Sequence, residues 1–167
     1  GTYNISTTLP LPKGVHLKGE GEGRTIIKAK DFINAIFATM DSNMVISTMN
    51  NYGLDSEVPS YITVEDLTID VSENVSTSLL SLGSCENVLF RNVEFKGTNG
   101  TTLVRIEGNA NVDAFKYLVF DTCYFNQGRT AIKVNGSVEH LIVTNSLFDG
   151  FVSRAIDLSN DSSIVIN

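Results

Sequence analysis

The chain has 167 residues, with 12 Lys and Arg against 19 Asp and Glu, a formal net charge of −7. An acidic chain of this kind excludes partners held by phosphate neutralisation and excludes a basic membrane-surface helix, so neither nucleic acid nor membrane insertion is expected. Apolar residues make up 42 % of it, enough for a core, and no run approaches the roughly 20 apolar residues of a membrane-spanning helix.

The length fits one domain over residues 1–167. The chain opens at Gly1 without an initiator Met and closes inside the strand-like run Ile164-Val165-Ile166-Asn167. It reads as a piece of a longer protein, with residues 1–20 as an entry or capping region and 21–167 as stacked units.

Those units repeat. Ile62-Thr63-Val64-Glu65-Asp66-Leu67-Thr68-Ile69 opens the first clear copy. Gly83 to Gly97 then matches Gly136 to Gly150 without gaps, and Leu118 to Phe125 is the copy between them. The closing residues Ile69, Phe95, Phe125 and Phe148 are spaced by 26, 30 and 23 residues, and Ile164 and Ile166 fall 23 after Leu141 and Val143. Each copy also carries an apolar pair at strand period: Leu80 and Leu82, Val104 and Ile106, Ile132 and Val134, Ile156 and Leu158. Asn109 to Ala114 looks like an insertion into one turn, and Gly108, Gly136 and Ser159-Asn160-Asp161 serve as further turns.

No helical stripe interrupts this pattern. Short strands recurring every 23–30 residues predict an all-β solenoid, a single-stranded parallel β-helix, with Ile69, Phe95, Phe125 and Phe148 as one inner column. A leucine-rich repeat is the competing architecture, but its LxxLxLxxN spacing is absent.

The opening, Gly1-Thr2-Tyr3-Asn4-Ile5, Leu9-Pro10-Leu11-Pro12-Lys13-Gly14-Val15-His16-Leu17-Lys18-Gly19-Glu20-Gly21 and Thr25-Ile26-Ile27, resembles the start of right-handed parallel β-helices of the pectate-lyase superfamily. That group includes bacteriophage tailspikes and polysaccharide-degrading enzymes. The resemblance implies the right-handed form of the single-stranded parallel β-helix. It also implies a tailspike or tail-fibre segment, homotrimeric, on the virion or extracellular, that binds host surface polysaccharide with or without degrading it. A secreted polysaccharide lyase or glycoside hydrolase and a non-catalytic bacterial adhesin are the other two classes.

Register assigns the outward residues to columns. Asp66, Asn92, Thr122 and Asn145 share the bend inside each copy and predict a ladder of amides bonded from coil to coil. Glu65, Arg91, Asp121 and Thr144, one place earlier, predict a surface column of alternating charge. Thr68, Glu94, Tyr124 and Leu147 follow the bend, and Ser81, Arg105, Lys133 and Asp157 line the adjoining wall. Glu94, Arg105, Tyr124 and Lys133 are therefore the candidate carbohydrate-binding residues: an aromatic face for a sugar ring, and charges for hydroxyls or uronate carboxylates. Arg105 beside Lys133 calls for an anion between them, such as Glu107 or a ligand carboxylate.

No catalytic pair is marked out among Glu94, Asp121, Asp149 and Asp157, and no cofactor or metal site is expected. Cys85 and Cys123 read as free thiols packed as small apolar residues.

Overall fold

A computed structural model describes residues 1–39, 59–71, 78–83, 85–107, 116–135, 138–158 and 164–166, the last as backbone only. The insertion at Asn109 to Ala114 and the turns at Gly108, Gly136 and Ser159 to Asp161 lie outside the described residues.

The described residues form one parallel β-solenoid, with no helix among them. Its strands are β1 (Thr2–Ile5), β2 (Leu9–Pro10), β3 (His16–Lys18), β4 (Ile26–Ala29), β5 (Phe37–Ala38), β6 (Ser60–Asp70), β7 (Ser78–Leu82), β8 (Glu86–Lys96), β9 (Thr102–Glu107), β10 (Lys116–Asp121), β11 (Tyr124–Asn135), β12 (Leu141–Thr144), β13 (Leu147–Leu158) and β14 (Ile164–Ile166). Every pairing is parallel, and the strands stack into three walls. The first wall runs through β3, the start of β6, the start of β8, β10, β12 and β14. The second runs through β1, β4, the end of β6, the end of β8, and the starts of β11 and β13. The third runs through β2, β5, β7, β9 and the ends of β11 and β13. Residues 2–18 thus already supply one strand to each wall.

The long strands turn corners without ending. At the corner between the first and second walls a single residue takes the left-handed conformation: Asp66, Asn92, Thr122 and Asn145, with φ of 59°, 50°, 55° and 51°. One such residue redirects the chain by a corner and returns it at once to extended geometry. Asn and Asp tolerate this conformation best among residues with a side chain, which is why they recur there. The expected ladder forms only in part. The Asn92 amide donates to Asp66 Oδ1 at 2.8 Å, but Thr122 has no amide to pass on. Its hydroxyl and the Asn145 amide both turn to Asp121 Oδ1, each at 3.2 Å. At the corner between the second and third walls Gln127 in β11 and Gly150 in β13, aligned in register, take the same conformation, with φ of 55° and 72°, and the chain in the coil before them is closely approached. A Cβ on Gly97 would meet Leu103 Cδ2 at 2.4 Å and the Gln127 carbonyl at 2.9 Å.

Strand alternation turns Ile62 and Val64, Val88 and Phe90, Leu118 and Phe120, and Leu141 and Val143 inward from the first wall. From the second come Leu67 and Ile69, Val93 and Phe95, and Cys123 and Phe125. Both thiols are buried and unpaired. Phe125 lies between Phe95 and Phe148 in one stack, with centroid spacings of 4.9 and 4.7 Å and planes within 10°. A second stack, Phe90 on Phe120 at 5.1 Å, meets the first edge-on from across the core at 5.7–6.0 Å. Stacked and edge-to-face pairs each add to area burial, so the two columns lock the coil-to-coil register. Phe125→Ala is expected to cost about 3–5 kcal/mol, read from denaturant melts. An unchanged midpoint would mean that the ring is not in this stack.

Candidate functional site

Outside the second wall, Glu94 and Tyr124 are neighbours in register on β8 and β11, as the column pattern predicts. Each carboxylate oxygen of Glu94 has its own donor. The Thr68 hydroxyl reaches Oε2 at 3.0 Å, and the Asn126 amide reaches Oε1 at 3.3 Å. The Tyr124 hydroxyl donates to Asp149 Oδ2 at 3.4 Å. Burial, then Asp149, holds the Tyr124 phenol above its ordinary pKa, with smaller contributions from Glu94 and Glu22.

Glu22 is the residue that column reasoning missed. It sits in the turn between β3 and β4, which folds over the first left-handed corner. The amides of Gly19 and Gly21 donate to the carbonyls of Glu65 and Asp66 at 2.9 and 2.8 Å, and that of Gly23 donates to Thr68 Oγ1 at 2.9 Å. The run Gly19-Glu20-Gly21-Glu22-Gly23 is what permits this. A Cβ on Gly19 would stand 2.2 Å from the Asp66 carbonyl, and Gly21 and Gly23 have φ of 127° and 71°. The turn brings Glu22 within electrostatic reach of Glu94. Glu22 itself is exposed; partial desolvation first, and then that carboxylate, raise its pKa. The alternating glycines were the available signal, but only pairing with β6 shows what they approach.

Arg105 and Lys133 are likewise neighbours in register, on β9 and β11 of the third wall. The predicted anion is Glu107. Its Oε1 accepts from Arg105 Nε at 3.1 Å, from Arg105 Nη2, and from the Asn135 amide at 3.4 Å. Glu107 is 6 % exposed, and its Oε2 has no partner among the described residues. Beside Lys133 in register is Asp157, which is engaged by Arg154. Among the described residues Lys133 forms no ion pair, and no hydrogen bond or ion pair joins Arg105 or Lys133 to Glu94 or Tyr124. The four candidate residues therefore form two pairs on two walls, one acidic and aromatic, the other basic.

On the first wall the alternating column is an ion ladder extended by one coil. Lys18 contacts Glu65 at 3.0 Å and Asp66 at 3.3 Å, His16 also reaches Glu65 at 3.0 Å, and Arg91 lies 4.0 Å from Glu65 and 3.7 Å from Asp121. Lys18, followed by His16, holds Glu65 below the ordinary carboxylate range. At these exposures the ladder is a scaffold feature of small energy. Among the described residues no group of three His, Cys, Asp or Glu side chains is arranged to hold a metal ion.

The raised Glu22 pKa makes the fold pH-sensitive in a defined direction. The folded protein holds this proton more tightly than the unfolded chain does. Its stabilising contribution is complete below the ordinary value of 4.5 and is lost as pH rises through the higher folded value. Glu22→Gln should therefore raise the melting temperature near neutral pH, and the gap from wild type should close below about pH 4. A gap independent of pH would remove Glu22 from the neighbourhood of Glu94.

Comparison with known proteins agrees with this architecture. No curated protein and no solved structure gives a significant match. A family model described as "Rhamnogalacturonase A/epimerase, pectate lyase-like" matches residues 1–167, the whole chain. With three walls of parallel strands behind it, the chain belongs to this pectate lyase-like family of β-helices.

Proposed function

We propose that this β-helix binds polysaccharide along its outer face, with Tyr124 as the stacking platform and Glu94, Asn126 and Asp149 as its hydroxyl contacts. The pectate lyase-like fold points to a polysaccharide-related role. The observation that carries the finer reading is the Tyr124 ring on the outer second wall, between Glu94 one coil below and Asp149 at its hydroxyl. An apolar face rimmed by hydrogen-bonding groups suits a sugar, which is itself apolar on its ring faces and polar at its edge. Lys133 on the next wall supplies a cation for a uronate. A stiff acidic rod of this kind suits the shaft of a phage tailspike or tail fibre that meets host polysaccharide.

Glu22 favours a second, catalytic reading. A carboxyl whose pKa is raised by partial desolvation and by a second carboxylate matches the two roles in glycoside hydrolysis, an acid for the leaving oxygen and a base or nucleophile opposite it.

Calorimetric titration with pectic and capsular oligosaccharides tests the binding reading. Tyr124→Ala and Lys133→Ala should each weaken binding, while changing stability by under about 1 kcal/mol. Affinity equal to wild type in both variants would return this face to plain scaffold. Release of reducing ends that is lost in both Glu22→Gln and Glu94→Gln would mark hydrolysis, and its absence in wild type would remove the catalytic reading.

A further inference from the structure

A different row of side chains runs along the entry to the first wall. There a second left-handed bend recurs in four coils, at Gly14, Tyr61, Asn87 and Tyr117, with φ of 76°, 56°, 53° and 56°. Their alignment follows from the strand register. Gly14 and Tyr61 each stand two residues before the pair His16–Thr63. Asn87 and Tyr61 lie between the pairs Ser60–Glu86 and Ile62–Val88, and Tyr117 and Asn87 between Lys116–Glu86 and Leu118–Val88.

Glycine and asparagine are the residues this conformation favours, whereas a bulky side chain there is an outlier. The bend accounts for Gly14 and Asn87 and leaves Tyr61 and Tyr117 unexplained. The core does not explain them either, because the two residues are 66 % and 49 % exposed. Thr122 and Gln127 show that the fold tolerates other side chains in this conformation, but neither the bend nor the core requires two exposed rings two coils apart in one row, and that recurrence marks a role for the rings themselves. The next coil adds His140 to the row, and its ring stacks on Tyr117 with centroids 4.7 Å apart and planes 23° from parallel. That contact holds the Tyr117 ring in place before any ligand arrives.

We infer that this row is a second carbohydrate-binding strip, taking a run of neutral sugar rings laid along the solenoid axis. Successive coils rise by about 4.8 Å, so the tyrosines stand roughly 10 Å apart with an amide between them. Two sugars separated by one residue would stack on Tyr61 and Tyr117, and Asn87 has both donors and an acceptor for the hydroxyls of the sugar between. No Asp, Glu, Lys or Arg belongs to the row, which is why the sugars are neutral. A one-residue-wide ridge repeating at the coil period matches a repeating linear chain better than the broad surface of a second copy. The strip lies on a different wall from Tyr124 and rests on the same general reading of the fold as polysaccharide-related.

The test uses calorimetric titration of the whole chain with neutral hexasaccharides of β-1,4-glucan, α-1,4-glucan and β-1,4-galactan, and with a galacturonate hexamer. Tyr61→Asn and Tyr117→Asn remove a ring while installing the residue that the bend prefers. Each should keep or raise the melting temperature and weaken binding of a neutral probe about three- to tenfold, the range for loss of one aromatic stacking contact. Tyr124→Ala should leave that binding intact. Retained affinity in both Asn variants together with loss in Tyr124→Ala overturns the strip and leaves the second-wall reading standing; the converse pattern supports the strip and removes that reading for neutral sugars. Wild-type protein that binds none of the neutral probes overturns the strip. A fall in sedimentation mass in the Asn variants, with glycan affinity unchanged, overturns it in favour of a contact between copies.

Discussion

The structure depends on turning a β-strand through a corner with one residue. A corner of several residues would let each coil slip against the next. A single left-handed residue at Asp66, Asn92, Thr122 and Asn145 leaves no slack, so the second wall resumes at the register of the first in these four coils. That constraint makes the phenylalanine stacks possible. Phe95, Phe125 and Phe148 stand face to face within 5 Å only because each lies three residues beyond its corner. The stacks in turn hold the corners, since displacing one coil along its strand would separate every ring pair at once.

The same constraint arranges the outer surface. Whatever stands outside a wall is repeated at the coil spacing, so side chains meet as columns. The ladder through Lys18, Glu65, Arg91 and Asp121 is one such column, and the pair Glu94–Tyr124 is part of another. A linear polymer presents its groups periodically as well, which is the physical basis for a polysaccharide along this face. Breaks in the columns are local and chemical. Thr122 interrupts the amide ladder because its shorter side chain carries no amide, and its hydroxyl and the Asn145 amide both donate to Asp121 instead.

Much of this was legible before the structure, because register in a solenoid is written as repeat spacing. The Phe95–Phe125–Phe148 column, the aliphatic pairs of the third wall, the charge column and the pairing of Ile164 with Leu141 all follow from counting residues between copies. The site was legible only as pairs. Spacing places Glu94 beside Tyr124 and Arg105 beside Lys133, but says nothing of how far one wall stands from the next. Glu22 was hidden because it belongs to no column; its place comes from a glycine-rich turn crossing a corner. The first-wall tyrosines were hidden because their meaning lies in a backbone angle that nothing in the residue type announces.

The central claim is that the single-residue left-handed corner holds the coils in register. It is tested most directly at Thr122, where a β-branched residue occupies a conformation that asparagine prefers, at φ 55°. The measurement is the melting temperature of Thr122→Asn. The account predicts a rise, corresponding to up to about 1 kcal/mol, from relief of backbone strain and an amide restored to the ladder. An unchanged or lower melting temperature would contradict it.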